Sequence, residues 1–558
     1  MADPLALVRD RLDARWQSLK SERASWLAHW EDISRHLLPR SGRFLNARPN
    51  QGAKRHNNIY DSTGTQALRV LAAGMMAGMT SPARPWFRLT TSDPELAKYG
   101  SVKVWLRDAT EAMRQVFQRS NTYRTLHTMY EELGAFGTAA TIVSPDFSTV
   151  INNVPLTAGE FCITTRETGM VSALYREFQA TVAQLVAEFG IDAVSPVVKS
   201  MYDRGQLEEW IPVVHAIEPR ADRDARKRDS ANKAFRSTYF EQGARPGQFL
   251  RDSGFDEFPA VCPRWEVSGG DIYGHSPAME ALGDIKQLQQ EQLRKAQGID
   301  YMTNPPVQLP TGAKNHELDL LPGGVTYVDA AGPQGGVRPS FEVRLDLNHL
   351  LADIQDVRQR IRGSFYADLF LMLANQQDAR MTATEVAERH EEKMLMLGPV
   401  LERLHNEMLD PLVGITFTRM FELGALPPPP QELQGSELRV EYVSMLAQAQ
   451  QAVGTNSVDR FVFTLGQVAQ IKPEVLDNLD SDHWAEAYSD MLGVDPRLLV
   501  PAEQVALVRQ QRAQAQQQAQ MQAAMPQQAQ AAKDVSQIDP AQLQNVIGMF
   551  SGYNSPGA

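Results

Sequence analysis

Two long helical stretches, Ser276–Tyr301 and Leu345–Leu373, bracket a Pro/Gly-rich insert, and this layout constrains the fold more than any other feature of the chain. Ser276 is a capping residue, and Pro277 behind it occupies a first helical turn, where a missing N–H costs nothing. From there "SPAMEALGDIKQLQQEQLRKAQGIDY" runs without a breaker; at about 1.5 Å per residue it spans roughly 40 Å. The second stretch repeats helical spacing through Leu347, Leu350, Ile354, Val357, Ile361 and Phe365. Between them, "TNPPVQLPTG" to "GPQGGVRPS" is turn chemistry with short strand-like runs such as "VTYV". Two long helices flanking a compact module describe a stalk with a tip. Their polar Gln/Glu/Lys flanks leave apolar faces too narrow for a monomeric globule, so side-by-side copies of the chain are a natural cover.

The rest of the chain is mainly helical, with one β-rich interval. Residues 4–38 predict a helix through Leu5, Val8, Leu12, Trp16, Leu19, Trp26, Trp30 and Ile33, stopped by Pro39. "STGTQALRVLAAGMMAGM", started by Asp61 or Ser62, predicts a helix whose small residues allow close approach and whose methionines fill irregular gaps. Helices over Ser101–Ser120 and Thr122–Ala135 follow, with "PARPWFRLT" extended before them. From Thr138 to Trp265 runs such as "TIVSP", "FCITT" and "YREFQA" alternate with turns, interrupted by one helix, "TVAQLVAEFG". Arg220–Arg236, where basic and acidic residues interleave, reads as a mobile surface loop, with DNA contact as the alternative. Thr382 and Glu385 form a capping box that opens a long helix to Leu412, with a kink expected at Gly398-Pro399. "LPPPPQ" is a stiff boundary. Helical segments are expected over Tyr442–Val453, Val458–Ala469 and Ser481–Met491; beyond Pro501, 12 of the 28 residues from 503 to 530 are Gln.

Composition excludes several classes. The 558-residue chain is 43% apolar and carries a net charge of −12, so it can build a core but lacks the overall basic character of a protein that grips a DNA backbone. Cys162 and Cys262 are too few for a disulfide framework and read as thiols of a reducing compartment. The longest greasy run, Ala67–Met79, is 13 residues and includes Arg69, too short for a membrane span. No phosphate-cradling G-x-x-x-x-G-K-[ST] loop, H-E-x-x-H or C-x-x-C occurs, and no cofactor or metal is implied. "GHSPA" lacks the second glycine of a nucleophile elbow, so Ser276 serves better as a cap. Asp108, Glu111, Glu131 and Glu132 form no fixed acidic constellation and read as surface or core pairs.

Four segments, in order, resemble the portal (head-to-tail connector) family of short-tailed double-stranded-DNA phages: "RWQSLKSERASWLAHWEDISRHLLPRSGRF", "IYDSTGTQALRVLAAGMMAGMTSPARPWFRL", "YGHSPAMEALGDIKQLQQ" and "RMTATEVAERHEE". The second and fourth are the specific ones. The resemblance implies an α+β, mainly helical portal fold assembled as a ring of wing, stem, clip, crown and C-terminal helical barrel. Its boundaries would be a wing over 1–275 with its β-rich part at about 138–265, stem helices over 276–303 and 344–373, and a clip over 304–343. A channel loop over 374–381, a wing helix over 382–428, a crown over 429–500 and a Gln/Ala-rich barrel or tail over 501–558 would follow. Asn375, Gln376, Gln377, Asp378 and Arg380 would then lie nearest the DNA. The implied partners are the chain itself as a homododecamer, double-stranded DNA in the channel, the major capsid protein, terminase, a tail adaptor and scaffolding or internal core proteins, without membrane insertion. The implied place is the portal vertex of the virion, after synthesis in the host cytoplasm, and the implied role is a conduit and not an enzyme.

Two other classes remain open at this point: an internal virion or scaffold-like protein that assembles through the Gln-rich tail, and a DNA-processing enzyme, against which the missing phosphate loop argues. The tail has few core-forming residues. Deleting Glu503–Ala558 is therefore expected to leave self-assembly largely intact; native mass spectrometry of the truncated chain that found only monomers would refute this.

Overall fold

The computed structural model describes residues 4–44, 58–93, 96, 99–304 (except 225, 228, 245 and 246), 306–308, 338–339, 347–374, 397–443 (except 434 and 436) and short stretches between 462 and 515. The chain divides into two compact units, Met1–Asn456 and Ser457–Ala558. In the second unit, residues 462–468 and 508–512 are helical.

The first unit opens with α1 (Pro4–Glu22) and α2 (Ala24–His36). The single helix expected over residues 4–38 is thus interrupted at Arg23, whose buried guanidinium donates to the Phe161 carbonyl. The interruption serves two cores. Leu12, Trp16 and Leu19 of α1 pack on Cys162, Ala173, Tyr175, Val214, Ala216 and Phe240 of a sheet, whereas Trp30 and Ile33 of α2 enter the main core. Next come α3 (Thr63–Met79), β1 (Phe87–Thr91), α4 (Gly100–Arg119) and α5 (Thr122–Phe136), close to the expected bounds.

The β-rich interval contains β2 (Ala140–Asp146), β3 (Val150–Leu156), β4 (Phe161–Thr165), β5 (Val171–Thr181), α6 (Val182–Phe189), α7 (Pro196–Asp203), β6 (Trp210–Pro219), β7 (Phe235–Glu241), β8 (Arg251–Phe255) and β9 (Ala260–Val261). Strands β4 to β8 form an antiparallel meander in chain order, and β3-β2-β9 form a second, three-stranded sheet. Thr181 and Gln184 make the capping box of α6, and Ser195-Pro196 starts α7, a helix the alternating pattern had concealed. Arg220 and Arg236, the ends of the stretch read as a surface loop, are buried, and Phe235 already belongs to β7; the described residues between Ala221 and Ala234 lie outside the strands.

Helix α8 (Pro277–Thr303) matches the first long stretch, with the Ser276 hydroxyl accepting the Met279 N–H at 3.1 Å. Strands β10 (Val307–Gln308) and β11 (Arg338–Pro339) pair antiparallel and close the base of the insert between the long helices. The second long stretch is not one helix. It divides into α9 (Leu347–Ser364) and α10 (Ala367–Ala374) at Tyr366, which adopts φ +53°. The turn lays α10 on α3, where a Cβ at Gly74 would stand 2.2 Å from the Phe370 ring, so only glycine permits the approach. Leu397 resumes a helix that passes through Gly398-Pro399, loosens to wider turns at His405–Leu409, and continues as α11 (Asp410–Glu422). The irregularity falls there because Pro411 has no N–H to return to the Glu407 carbonyl. Beyond the prolines, β12 (Leu438–Tyr442) pairs with β1, and Arg88 clamps Glu441 at 2.8 and 2.9 Å directly opposite. Tyr442, expected to start a helix, ends a strand instead.

Glu132 is a carboxyl buried at the main core. Burial pushes the Glu132 carboxyl up to about 7, against bonds from the Thr157 hydroxyl (2.7 Å) and the Ala158 N–H (3.1 Å), while Glu131 and Glu160 add repulsion. The folded chain therefore holds a proton that the unfolded chain releases between about pH 4.5 and 7, and stability falls as pH rises through that window. Glu132→Gln is expected to flatten the fall, by on the order of 3 kcal/mol between the ends of the window. Thermal midpoints across it, wild type against variant, check this; parallel curves would contradict it.

Candidate functional site

The feature with no explanation inside one chain is the helix pair α8–α9. Along α8 the buried positions Ala278, Met279, Ala281, Leu282, Ile285, Leu288 and Gln289 recur at helical spacing, after which only Gly298 is buried. Along α9, Ile354, Val357 and Ile361 are buried, but Leu351 toward its start is exposed. The helices run antiparallel, with Arg360 paired to Asp284 at 3.1 Å and the β10–β11 ladder joining the ends that have left the core. About half of each helix therefore stands clear of the body. On the free part of α8, Ile299 and Met302 are 38% and 47% exposed, without full cover from the described residues.

Where the pair leaves the core, Asp61 binds it to α3. Its Oδ1 accepts the Thr63 N–H at 2.8 Å and hydroxyl at 2.5 Å, starting α3. Its Oδ2 accepts Gln292 Nε2 at 3.0 Å and Arg358 Nε and Nη2 at 3.1 and 2.7 Å. Gln289 completes the joint: its amide N–H donates to the Asp61 carbonyl at 2.9 Å, and its Oε1 accepts the N–H groups of Tyr60 and Asp61 at 2.6 and 2.8 Å. Burial pushes the Asp61 carboxyl up, but the bonds from Thr63 and Arg358 outweigh it and hold the group below the usual carboxylate range. It stays charged at neutral pH, as an ion pair near the core requires.

The root of α8 is equally fixed. Ser276 donates its hydroxyl to the Ala135 carbonyl at 2.8 Å, where α5 ends at Gly137 with φ +73°. A Cβ on Gly137 would stand 2.2 Å from the Gly274 carbonyl oxygen, and one on Gly274 would stand 2.2 Å from the Gly137 oxygen. Just upstream, the buried pair Arg264–Glu407 closes at 2.7 and 3.0 Å; Arg264 also donates to the Gly169 and Ile272 carbonyls at 2.6 and 3.3 Å. Both charges are thus hydrogen-bonded as well as paired, the condition for burying them.

The expected site residues Asn375, Gln376, Gln377, Asp378 and Arg380, and the capping pair Thr382 and Glu385, lie outside the described residues, which stop at Ala374 and resume at Leu397. Ser276 has its expected role. Asp108 pairs with Arg107 and Glu111 with Arg114, and among the described residues no group of His, Cys, Asp or Glu is placed to hold a metal. Both cysteines are buried, and burial raises the Cys162 thiol to about 11. No described helix is long and apolar enough to cross a membrane. The Asp61 joint and the Arg264–Glu407 pair were missed in the sequence, although one signal existed: Gln289 and Gln292 continue the spacing of Leu282 and Ile285, placing amides on the buried stripe.

Comparisons with known proteins agree on a family. A family model described as bacteriophage head to tail connecting protein matches residues 9–499. The chain is 63% identical over 548 residues to a probable portal protein of Bordetella phage BPP-1, covering 98% of this chain and 99% of the relative. It is 47% identical over 539 residues to a portal protein of Salmonella phage epsilon15, covering 96% and 97%. Among solved structures, a chain of the virion of a native gene transfer agent particle aligns over 71% of this chain and 89% of its own length, at 11% identity and a TM-score of 0.28. A chain from the neck of an empty particle of that kind aligns over 75% and 90%, at 12% identity and a TM-score of 0.32.

Asp61→Asn is expected to lower stability by about 1–3 kcal/mol, since Arg358 loses its counter-charge. Combining it with Arg358→Met should cost less than the sum of the two single changes, read from denaturant midpoints; strict additivity would show that the pair is not coupled.

Proposed function

Because this chain belongs to the bacteriophage head-to-tail connecting protein family and takes the portal role at the capsid vertex of the virion, we propose that it closes into a homododecameric ring through the free halves of its stem helices. The observation that carries this reading is the exposure of Ile299, Met302 and Leu351 on helices that are long, firmly rooted and uncovered among the described residues. A neighbouring copy presenting its own α8 and α9 supplies the missing apolar surface, in a heterologous contact that rotates shut into a ring.

In this reading residues 1–275 are the wing, and 276–303 and 344–373, the latter containing α9 and α10, are the stem. Residues 304–343 form the clip, 374–381 the channel loop, 382–428 the wing helix, 429–500 the crown and 501–558 the barrel or tail. Double-stranded DNA passes through the bore during packaging and ejection. Asn375, Gln376, Gln377, Asp378 and Arg380 lie nearest to it, and their mostly neutral side chains suit sliding over gripping. The clip end of the stem docks terminase and later a tail adaptor, while the outer wing meets the major capsid protein and scaffolding or internal core proteins. The role is structural throughout, without a chemical step.

Negative-stain images of the purified chain are expected to contain annular particles, and mass photometry to give twelve copies. Ile299→Glu places a charge in the copy-to-copy contact and should shift the population to monomers and small oligomers, with any loss of helical circular dichroism limited to the free halves of α8 and α9 and the thermal transition of the body retained. Rings forming equally well from that variant would remove the stem contact from the proposal.

A further inference from the structure

The connection between β6 and β7 offers a second functional surface. Between Arg220 and Arg236 the chain carries seven basic and three acidic side chains, a local net charge of +4; the remainder, out of a total of −12, carries −16. The loop is rigidly based. Arg220, 3% exposed at its side chain, donates to the Ala231 and Ser253 carbonyls at 2.5 and 3.0 Å and pairs with Asp252 at 3.3 Å. Arg236, 7% exposed, pairs with Asp222 at 3.3 Å. Two buried guanidiniums and their carboxylates thus pin both ends of the loop to the sheet.

Although acids interleave with bases in the sequence, the fold separates their roles. Asp222 is held by Arg236; Asp224 accepts the Arg226 N–H at 3.1 Å; Asp229 accepts the Asn232 amide at 2.6 Å. The acids shape the loop, while Arg223, Arg226 and Lys227 are exposed and make no ion pair with a described residue. No side chain from Ala221 to Ala234 is apolar beyond alanine. A protein partner would ordinarily want an aromatic or aliphatic anchor at the centre of the contact, which this loop cannot supply. A phosphate backbone needs only accessible positive charge.

We propose that the 221–234 loop, through Arg223, Arg226 and Lys227, is a sequence-independent contact for the phosphate backbone of duplex DNA, a local adhesive point on an otherwise repelling chain. The proposal rests on the portal reading only for the supposition that duplex DNA is what the assembled chain meets; the loop's chemistry stands by itself. Each neutralised phosphate contributes about 0.9 to the slope of log K against log salt, so three contacts contribute about 2.7.

The test is binding of a fluorescent 30-base-pair duplex to the full chain at several salt concentrations, for wild type and for the triple variant Arg223→Ala, Arg226→Ala, Lys227→Ala. The slope is expected to fall by about 2–3 in the variant, and to persist in Arg223→Lys, Arg226→Lys, where charge is kept. An unchanged slope in the alanine variant overturns the proposal. So does loss of self-assembly in that variant with DNA binding intact, which would assign the loop to an acidic surface of a second copy. Absence of rings in the wild type would instead overturn the portal reading, while the slope still decides the loop.

Discussion

The Asp61 carboxylate stands where three helices would otherwise part. One oxygen starts α3, and the other accepts from a residue on each long helix, so the direction in which α8 and α9 leave the body is set by hydrogen bonds and not by apolar contact alone. Hydrophobic burial is non-directional and would tolerate sliding of one helix past another. A bidentate guanidinium with converging amides does not, because displacement by a single turn would leave a charge near the core without its partner. The joint therefore specifies geometry more than it adds stability, and geometry is what a ring requires: an angular error per copy accumulates around the closure.

The platform beneath the joint has the same character. The mutual approach of Gly137 and Gly274 and the hydroxyl of Ser276 on the last turn of α5 fix the first residue of α8 against the main core. The Arg264–Glu407 pair reaches from the strand side of this platform to the irregular turns before α11, so the segment leading into α8 and the returning helix share one polar network within an apolar surround. Close packing makes such a body poorly deformable. Movement imposed on the free ends of α8 and α9 would be carried to this body as a rigid displacement.

Much of this was legible from spacing. The helical period placed α3, α4, α5 and α8 within a residue or two, and alternation located the β interval, because each of those elements buries one regular face. Interruptions were less visible. Arg23 divides α1 from α2 with a residue of good helix propensity, for the sake of a carbonyl in β4 that is distant in sequence. Tyr366 turns α9 into α10 in a left-handed conformation that its side chain disfavours, because Gly74 on α3 offers Phe370 a seat. In both places tertiary contact overrides local preference, and neither partner can be named from one sequence. The Asp61 joint lies between: its carboxylate was readable as a helix starter, and the two glutamines on the apolar stripe were out of place, but Arg358 lies 297 residues away.

The free halves of α8 and α9 pose a stability question that the proposed assembly answers. Isolated helical segments of about 14 residues, as in α8, or about nine, as in α9, are marginal in water, since nucleation is unfavourable and propagation gains little per residue. Here each such segment is fixed at one end by the joint and closed at the other, among the described residues, by the two-residue β10–β11 ladder. Among the described residues of one chain their mutual contact leaves Ile299, Met302 and Leu351 in water. Lateral packing between copies would bury those side chains and order the stem in the same step, so ring closure and stem folding become one equilibrium that depends on chain concentration. The body, with its continuous core from α2 to α11, has no such dependence. A chain built this way can fold first and assemble second, keeping the surface that joins copies marginal until a neighbour arrives.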